Sequence, residues 1–307
     1  MTLQQLRYVT KIVEYGSINE AAKRIFISQP SLSNTIKELE DEMGIAIFAR
    51  SARGIQLTPE GTQFLAYARQ VTEQADLLEQ RYKGKKQVRQ SCSISTQHYA
   101  FAVQAFVHLI EESPADEYKF TLRETRTHDI IEDVSTLRSE IGILYLNDFN
   151  RKVITRLLRE KHLSFHPLFE ASPHVFISSQ HPLAGRSIIS MADMDEYPCL
   201  SFEQGEYNSF HFSEEILSTV YRKKNIHVSD RATLFNLLIG LNGYTICTGV
   251  LGSDLNGNQI ISVPLDTNER MLIGWIDNNR AQPGRAAQRY IDRLKALIAD
   301  YGFAVIK

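Results

Sequence analysis

Cysteine is scarce in this chain, and what there is falls in no pattern. Cys92, Cys199 and Cys247 are odd in number and far apart, so neither a disulfide framework nor a zinc-binding spacing is present. A reducing cytoplasm fits that usage. No apolar run reaches the length needed to cross a bilayer, and the N-terminus lacks the basic-then-apolar pattern of a secretory signal. Catalytic signatures are missing too: there is no Gly-x-Ser-x-Gly elbow, no phosphate-binding loop and no His-Glu-x-x-His helix. His162 and His166 stand four apart, but the segment turns into an apparent strand there. They do not share a helical face and read as surface or packing histidines. The Gly240 and Gly243 cluster is too loose for a dinucleotide fingerprint. These absences speak against an enzyme, a resident metal and a cofactor.

Net charge is also small, −2 over 307 residues, but it is unevenly spread. Residues 1–90 carry 13 basic against 10 acidic side chains, a net +3; residues 91–307 carry 21 against 26, a net −5. The first segment is only mildly basic, so attraction to phosphate must come from where its charges sit. What remains is ordinary globular material, 43% apolar and 23% charged, long enough for two or three domains.

The most informative stretch is Ser28 to Glu42. Leu32, Ile36, Leu39 and Met43 recur at spacings of 4, 3 and 4, an apolar stripe of helical period. Ser28 suits an N-cap, Pro30 sits in the first turn where its missing N–H does no harm, and Gly44 supplies the stop. The other face carries Ser31, Ser33, Asn34 and Lys37, short hydrogen-bonding groups and a cation that suit a major groove. A solvated polar face is the plainer reading of this helix alone. Its neighbours change the balance.

Thr2 to Glu14 reads as a helix with a Thr2–Gln5 capping box and a face of Leu3, Leu6, Val9 and Val13. Gly16 ends it. Ser17 with Glu20 forms a second capping box before a short helix with Ala21, Ala22 and Ile25 inside. Joined through Phe26-Ile27 to the Ser28 helix, this is a helix-turn-helix. Ile45 to Phe48 and Ile55 to Leu57 then read as two strands around a Gly-containing turn, a wing placed where Arg50 and Arg53 could touch phosphate or a minor groove, the plainer alternative being an exposed loop with two solubilising arginines. Thr58-Pro59 opens a longer helix in which Phe64, Ala68, Val71, Ala75, Leu78 and Tyr82 make a heptad seam, which suits a second copy of the chain better than the plainer alternative of packing on its own small domain. Gly84-Lys85-Lys86-Gln87 follows as a hinge.

The combination of Leu6, Ala21-Ala22, Ser28-Gln29-Pro30-Ser31-Leu32-Ser33, Ile36, Leu39-Glu40, Gly44, Phe48-Ala49-Arg50, Arg53 and Leu57-Thr58-Pro59-Glu60-Gly61 resembles the N-terminus of LysR-type transcriptional regulators. It covers residues 1–61. At Asn34 the chain departs from the arginine that many members carry. The resemblance implies DNA contacts from Ser28, Gln29, Pro30, Ser31, Ser33, Asn34, Lys37, Arg50 and Arg53.

The rest alternates strands and helices, an α/β pattern. Strands are expected at Ser91–Ser95, Lys119–Glu124, Ile141–Leu146, Phe165–Glu170, His174–Ser179, Cys199–Phe202, Gly243–Thr248 and Met271–Ile276. Helices are expected near His98–Glu112, Asp129–Leu137, Asn150–Lys161, Ser190–Asp195, Phe210–Tyr221, Thr233–Leu241 and Pro283–Tyr301. Pro167-Leu168-Phe169-Glu170, His181-Pro182-Leu183-Ala184, Ser229-Asp230-Arg231 and Gly240-Leu241-Asn242-Gly243-Tyr244 resemble the family's effector domain. That domain is built like a periplasmic binding protein with two lobes and a cleft. The resemblance implies that the chain crosses between lobes near Leu163 and again near Leu265.

A cleft of this kind lies at strand ends, where helix N-termini offer free N–H groups. Ser95, Thr96, Gln97, Thr125, Thr127, Tyr145, Ser201, Phe202 and Thr248 fall at such ends. Hydroxyls, an amide and helix ends suit a small organic anion or amino-acid-like effector, although each hydroxyl alone is equally a helix cap.

The expected protein therefore has a winged helix-turn-helix over 1–58 and a dimerising linker helix with hinge over 59–90. A two-lobed, periplasmic-binding-protein-like α/β effector domain follows over 91–307, with lobe 1 at about 91–162 and 266–307 and lobe 2 at about 163–265. The reading is a cytoplasmic regulator that binds double-stranded DNA and a small effector as a homodimer, which the resemblance extends to a homotetramer. The competing readings are a solute-binding or enzymatic α/β domain fused to a helix-turn-helix, and an architectural DNA-bending protein. The latter has no use for a ligand cleft.

Overall fold

The computed structural model describes residues 1–51, 54–83, 90–113, 117–207, 209–252 and 257–306. The chain divides into two compact units, residues 1–88 and 89–307.

The first unit begins with α1 (Leu3–Tyr15), α2 (Ile18–Arg24) and α3 (Gln29–Met43). The Thr2–Gln5 capping box forms in full, and Gly16, at φ 72°, closes α1 in the left-handed conformation. Ser17 caps α2 by accepting from Glu20 N at 3.1 Å. The expected second box is not reciprocal, because the Glu20 carboxylate faces Arg24 and Lys23 instead. The inward face of α1 is Leu6, Val9 and Ile12; Leu3 is exposed and Val13 half-buried, a shift of one position from the expected stripe. Val9, Ile12, Ala21, Ala22, Leu32, Ile36 and Leu39 join in one core. Met43, expected on that stripe, is 41% exposed.

The wing is a hairpin of β1 (Phe48–Ser51) and β2 (Gly54–Leu57). It starts three residues later than expected because Glu40 on α3 takes the backbone first. One carboxylate oxygen accepts from both Ile47 N (2.7 Å) and Phe48 N (2.9 Å). Helix α4 (Pro59–Lys83) follows, with Thr58 accepting from Gly61 N at 2.8 Å. Its first turn presses on Ile47: a Cβ at Gly61 would fall 2.0 Å from the Ile47 carbonyl oxygen. Gly61→Ala is expected to destabilise this unit by about 1–3 kcal/mol, the usual cost of overpacking. A thermal melt of the purified variant checks it, and an unchanged midpoint would contradict the close approach.

Helix α4 packs on α1 through Leu65, Ala68 and Thr72. The expected seam is thereby split: Ala68 faces the chain's own core, whereas Val71 and Leu78 are 46% and 60% exposed. Arg53, the side chains of Arg50 and Tyr82, and the expected hinge at 84–87 lie outside the described residues.

The second unit opens with β3 (Gln90–Thr96), α5 (Ala100–Glu111), β4 (Tyr118–Glu124), α6 (Thr127–Ser135), β5 (Ile141–Leu146), α7 (Arg151–Glu160) and β6 (Leu163–Ala171). Next come β7 (His174–Ser178), β8 (Cys199–Phe202), β9 (Asn225–Val228), α8 (Arg231–Leu241), β10 (Thr245–Cys247) and β11 (Ile260–Pro264). The chain then closes on β12 (Met271–Asn278) and α9 (Arg285–Asp300). Lobe 1 is a five-stranded sheet in the order β4-β3-β5-β12-β6. Strands β3, β4 and β5 run parallel, and β12 runs antiparallel to both β5 and β6. Lobe 2 pairs β10-β7-β11 antiparallel and β8 with β9 in parallel. A bridge from Cys199 to Tyr244 joins these two parts.

Two expectations need correction. The crossing to lobe 2 falls between Ala171 and His174, not near Leu163, because β6 stays paired with β12 along its whole length. The Phe210–Tyr221 segment is not a helix: it makes one 3₁₀ turn at Phe210–Phe212 and continues as turns, with Leu217 at φ 60°. Strands β9 and β11 were not among the expected elements.

Candidate functional sites: a polar helix face and the cleft between two lobes

On α3 the sorting of faces is complete. Leu32, Ile36 and Leu39 are buried, while Gln29, Pro30, Ser31, Asn34 and Lys37 are exposed and Ser33 is half-buried. Ser28 is spent as the cap, accepting from Ser31 N at 3.2 Å, and Thr35 bonds back to the Ser31 carbonyl at 2.9 Å. Gln29, Ser31, Asn34 and Lys37, with the half-buried Ser33, are the polar and basic side chains this helix has to offer.

In the second unit, Gln97 is the hub between β3 and α5. Its amide nitrogen donates to the Thr127 hydroxyl at 2.6 Å, and its oxygen accepts from Tyr99 OH at 2.8 Å and Tyr145 N at 3.1 Å. Thr127 N, at the start of α6, donates to the Gln204 side chain of lobe 2 at 3.1 Å. Phe202 stacks on His98 across the cleft, with ring centroids 3.8 Å apart. Gln97, Thr127, Tyr145 and Phe202 therefore meet where the lobes meet.

Other expected residues do not join them. The Ser95 hydroxyl donates to Asp133 at 2.6 Å and sits 2.8 Å from the Ser139 hydroxyl, tied to residues of its own lobe. The Thr96 hydroxyl turns to the Gln97 carbonyl, and Thr125 contributes its backbone N–H to Thr96 O. Thr248 is fully buried and accepts from Val250 N. Ser201 pairs with the His227 ring at 2.9 Å and lines a cavity of about 800 Å³ within lobe 2, together with Arg222, Phe210 and Tyr221.

The residues that dominate the cleft are two that sequence reading did not single out, Glu214 and Glu215, each 6% exposed. The Glu214 carboxylate sits just ahead of α5, accepting from His98 N at 2.9 Å and from Gln204 Nε2 at 3.2 Å, with the His98 ring Nδ1 also at 2.9 Å. Glu215 accepts from Phe202 N at 2.9 Å and from the Ser213 hydroxyl at 3.2 Å. The segment carrying them reaches over lobe 1. Tyr207 stacks on His128 at 3.6 Å, His211 on Phe149 at 4.3 Å, and Phe212 packs into the lobe 1 core beside Leu157 and Phe165. Tyr145 OH donates to Ser213 O at 3.1 Å. These contacts explain why no helix forms here: its backbone and side chains are engaged by the other lobe. The one available signal was an adjacent acidic pair set among Phe210, Phe212, Ile216 and Leu217.

The electrostatics follow from burial. Removal from water, and then the charge of Glu214, push the Glu215 carboxyl up to about 8. Burial, the largest single influence, lowers the His98 imidazole, but the hydrogen bond to Glu214 together with the charges of Glu214, Glu124 and Glu215 outweighs it and leaves the ring above its ordinary value. Arg126 is engaged with Glu203, and Arg231 with Glu124 at 3.2 Å. Among the described residues no group of three His, Cys, Asp or Glu is placed to hold a metal ion. His166 instead stacks on Trp275 and bonds Asp277 at 3.0 Å. No described helix is long and apolar enough to cross a membrane.

A capped helix-turn-helix with a wing, followed by a two-lobed α/β unit with a cleft at its strand ends, defines the class of regulators that couple a DNA reader to a ligand-sensing domain. Residues 3–62 match the family model described as bacterial regulatory helix-turn-helix protein, lysR family, and residues 94–299 match the LysR substrate binding domain. The chain belongs to the LysR family of transcriptional regulators. It is 47% identical to the regulator TfdS of Cupriavidus pinatubonensis over 73 residues, 24% of this chain and 25% of that one. The match thus spans about a quarter of that relative's length. To CysL of Bacillus subtilis it is 24% identical over 262 residues, 83% of each chain. Full-length CbnR, solved in complex with its target DNA, shares the fold at 17% identity and a TM-score of 0.54, covering 97% of this chain and 100% of that one.

Proposed function

We propose that this chain regulates transcription by binding double-stranded DNA through α3 and the wing, under the control of a small molecule held between its lobes. The reading is carried by the face of α3. Three apolar side chains are buried beneath it, Asn34 and Lys37 are exposed and Ser33 is half-buried, on a helix whose N-terminus Ser28 caps. Arg50 and Arg53 serve phosphate. The chain works as a dimer through the outer face of α4, with further pairing of effector domains into a tetramer, and acts in the cytoplasm by binding rather than turnover. The effector is a small organic anion or an amino-acid-like molecule, held near Gln97, Thr127 and Phe202.

Asn34 offers the amide that pairs with adenine. Asn34→Ala is expected to cost about 1–3 kcal/mol at one operator position and to leave the others unchanged. Binding titrations against a set of single-base operator variants, repeated over a range of salt, test it. A variant that keeps the full base preference makes Asn34 a bystander. Binding with no salt dependence would remove the DNA reading altogether.

A further inference from the structure

We infer that Glu214 is an internal anion seated in the effector cleft, a competitor that a carboxylate effector must displace. This rests on the cleft being the effector site and concerns what fills it. The place where an entering carboxylate would find free N–H groups is the N-terminal end of α5. In this chain the His98 N–H there is already taken by the Glu214 carboxylate, held also by Gln204 and the His98 ring. Little room is left at this end of the cleft: the space between Tyr99, Phe202, Glu214 and Cys247 is about 30 Å³, against roughly 300–1,000 Å³ for a typical small-molecule site, and the larger cavity that also touches Phe202 and Glu215 is lined by lobe 2 alone.

The donor chemistry is that of an anion site. A backbone N–H, a side-chain amide and an imidazole converge on one carboxylate, and charge-assisted hydrogen bonds of this kind are the strong ones. Glu214 belongs to the lobe 2 segment, and His98 to lobe 1. The bond therefore closes the cleft from inside, as a ligand carboxylate would. A site occupied by its own side chain shows an outside ligand only the fraction of time it stands open, and the apparent affinity falls by that fraction.

Acetate tests this directly, because Glu214→Ala deletes one methylene and one carboxylate, the makings of acetate. In thermal melts of the full chain, sodium acetate is expected to stabilise Glu214→Ala saturably over sodium chloride at equal ionic strength. The half-effect should come at a concentration at least about tenfold lower than any response of the parent chain. Glu214→Gln keeps an acceptor on His98 N and should respond no more than the parent. If Glu214→Ala folds poorly, its refolding yield in acetate against chloride answers the same question. Equal responses of parent and Glu214→Ala, or no response of Glu214→Ala, overturn the proposal. The reading beneath it fails separately. A carboxylate that binds the parent and is lost on Thr127→Val upholds the effector cleft even where acetate does nothing for Glu214→Ala. Acetate rescue, with screened ligands indifferent to Thr127→Val, upholds Glu214 as an internal anion and moves the effector elsewhere.

Discussion

Val71→Asp combined with Leu78→Asp is expected to yield a monomer that has lost about a hundredfold or more in operator affinity. The two side chains stand on the outer face of α4, 46% and 60% exposed, with Tyr67 at 70% beside them. The opposite face, Leu65, Ala68 and Thr72, holds the helix to α1, so the substitutions leave the unit's own core untouched. Arg7 adds an ion pair to Asp76 at 2.7 Å on that inner side. Apolar side chains at heptad spacing suit a second copy of the same helix, and two burial-driven contacts per chain are removed when both carry charge. Two linked recognition helices hold a two-part operator with an avidity of about 100- to 10,000-fold over one. Sedimentation and fluorescence anisotropy on an operator fragment read both quantities. A dimer that survives with normal affinity would place the pairing surface elsewhere.

How much of this could be read in the sequence depends on how local each determinant is. The α3 helix was legible almost to the residue, because Ser28, Pro30, the Leu32–Ile36–Leu39 stripe and Gly44 act within a few positions of one another. The first strand of its wing starts three residues later than its sequence suggests, since the deciding group, Glu40, lies seven residues before the Ile47 N–H it binds, while the second strand falls within one residue of expectation. The cleft was legible only in outline. Gln97 and Thr127 stand at strand ends and were found by that rule. Glu214 bonds a residue 116 positions away, and no spacing rule reaches so far. The segment around it has a helical pattern that lost to tertiary contacts: Phe212 packed, half-buried, against the other lobe and Ser213 O taken by Tyr145. Ser95 stands apart from that group for the reverse reason. Its position at a strand end was right, but its side chain points at Asp133 and Ser139.

Glu215→Gln is expected to stabilise the chain at high pH and to flatten the dependence of its stability on pH. Glu215 is 6% exposed, and its hydrogen-bond partners are a backbone N–H and a hydroxyl, neither of them a cation. Burial and the neighbouring Glu214 raise its carboxyl from 4.5 to about 8. Between those values the unfolded chain has released the proton and the folded chain still holds it. Raising pH through that window therefore favours unfolding, and the loss levels off above about 8. At about 1.4 kcal/mol per pH unit, the effect is on the order of 5 kcal/mol. Two neighbours have the same sign. Glu124, raised by burial, also keeps its proton longer when folded, and the raised His98 contributes stability that is full below 6.5 and is lost as pH rises through its folded value. The carboxylates that Ser190 and Thr233 hold low, Asp193 and Asp230, act only as pH falls through their own lower range. Thermal midpoints between about pH 5 and about pH 9 should fall in the parent chain as pH rises. They should fall less in Glu215→Gln, the remaining slope being what His98 and Glu124 contribute less the opposite contribution of His181, whose imidazole burial lowers and which therefore favours folding as pH rises. A parent chain most stable at the alkaline end, or a variant that keeps the full parent slope, would mean that Glu215 is ionised in the folded protein.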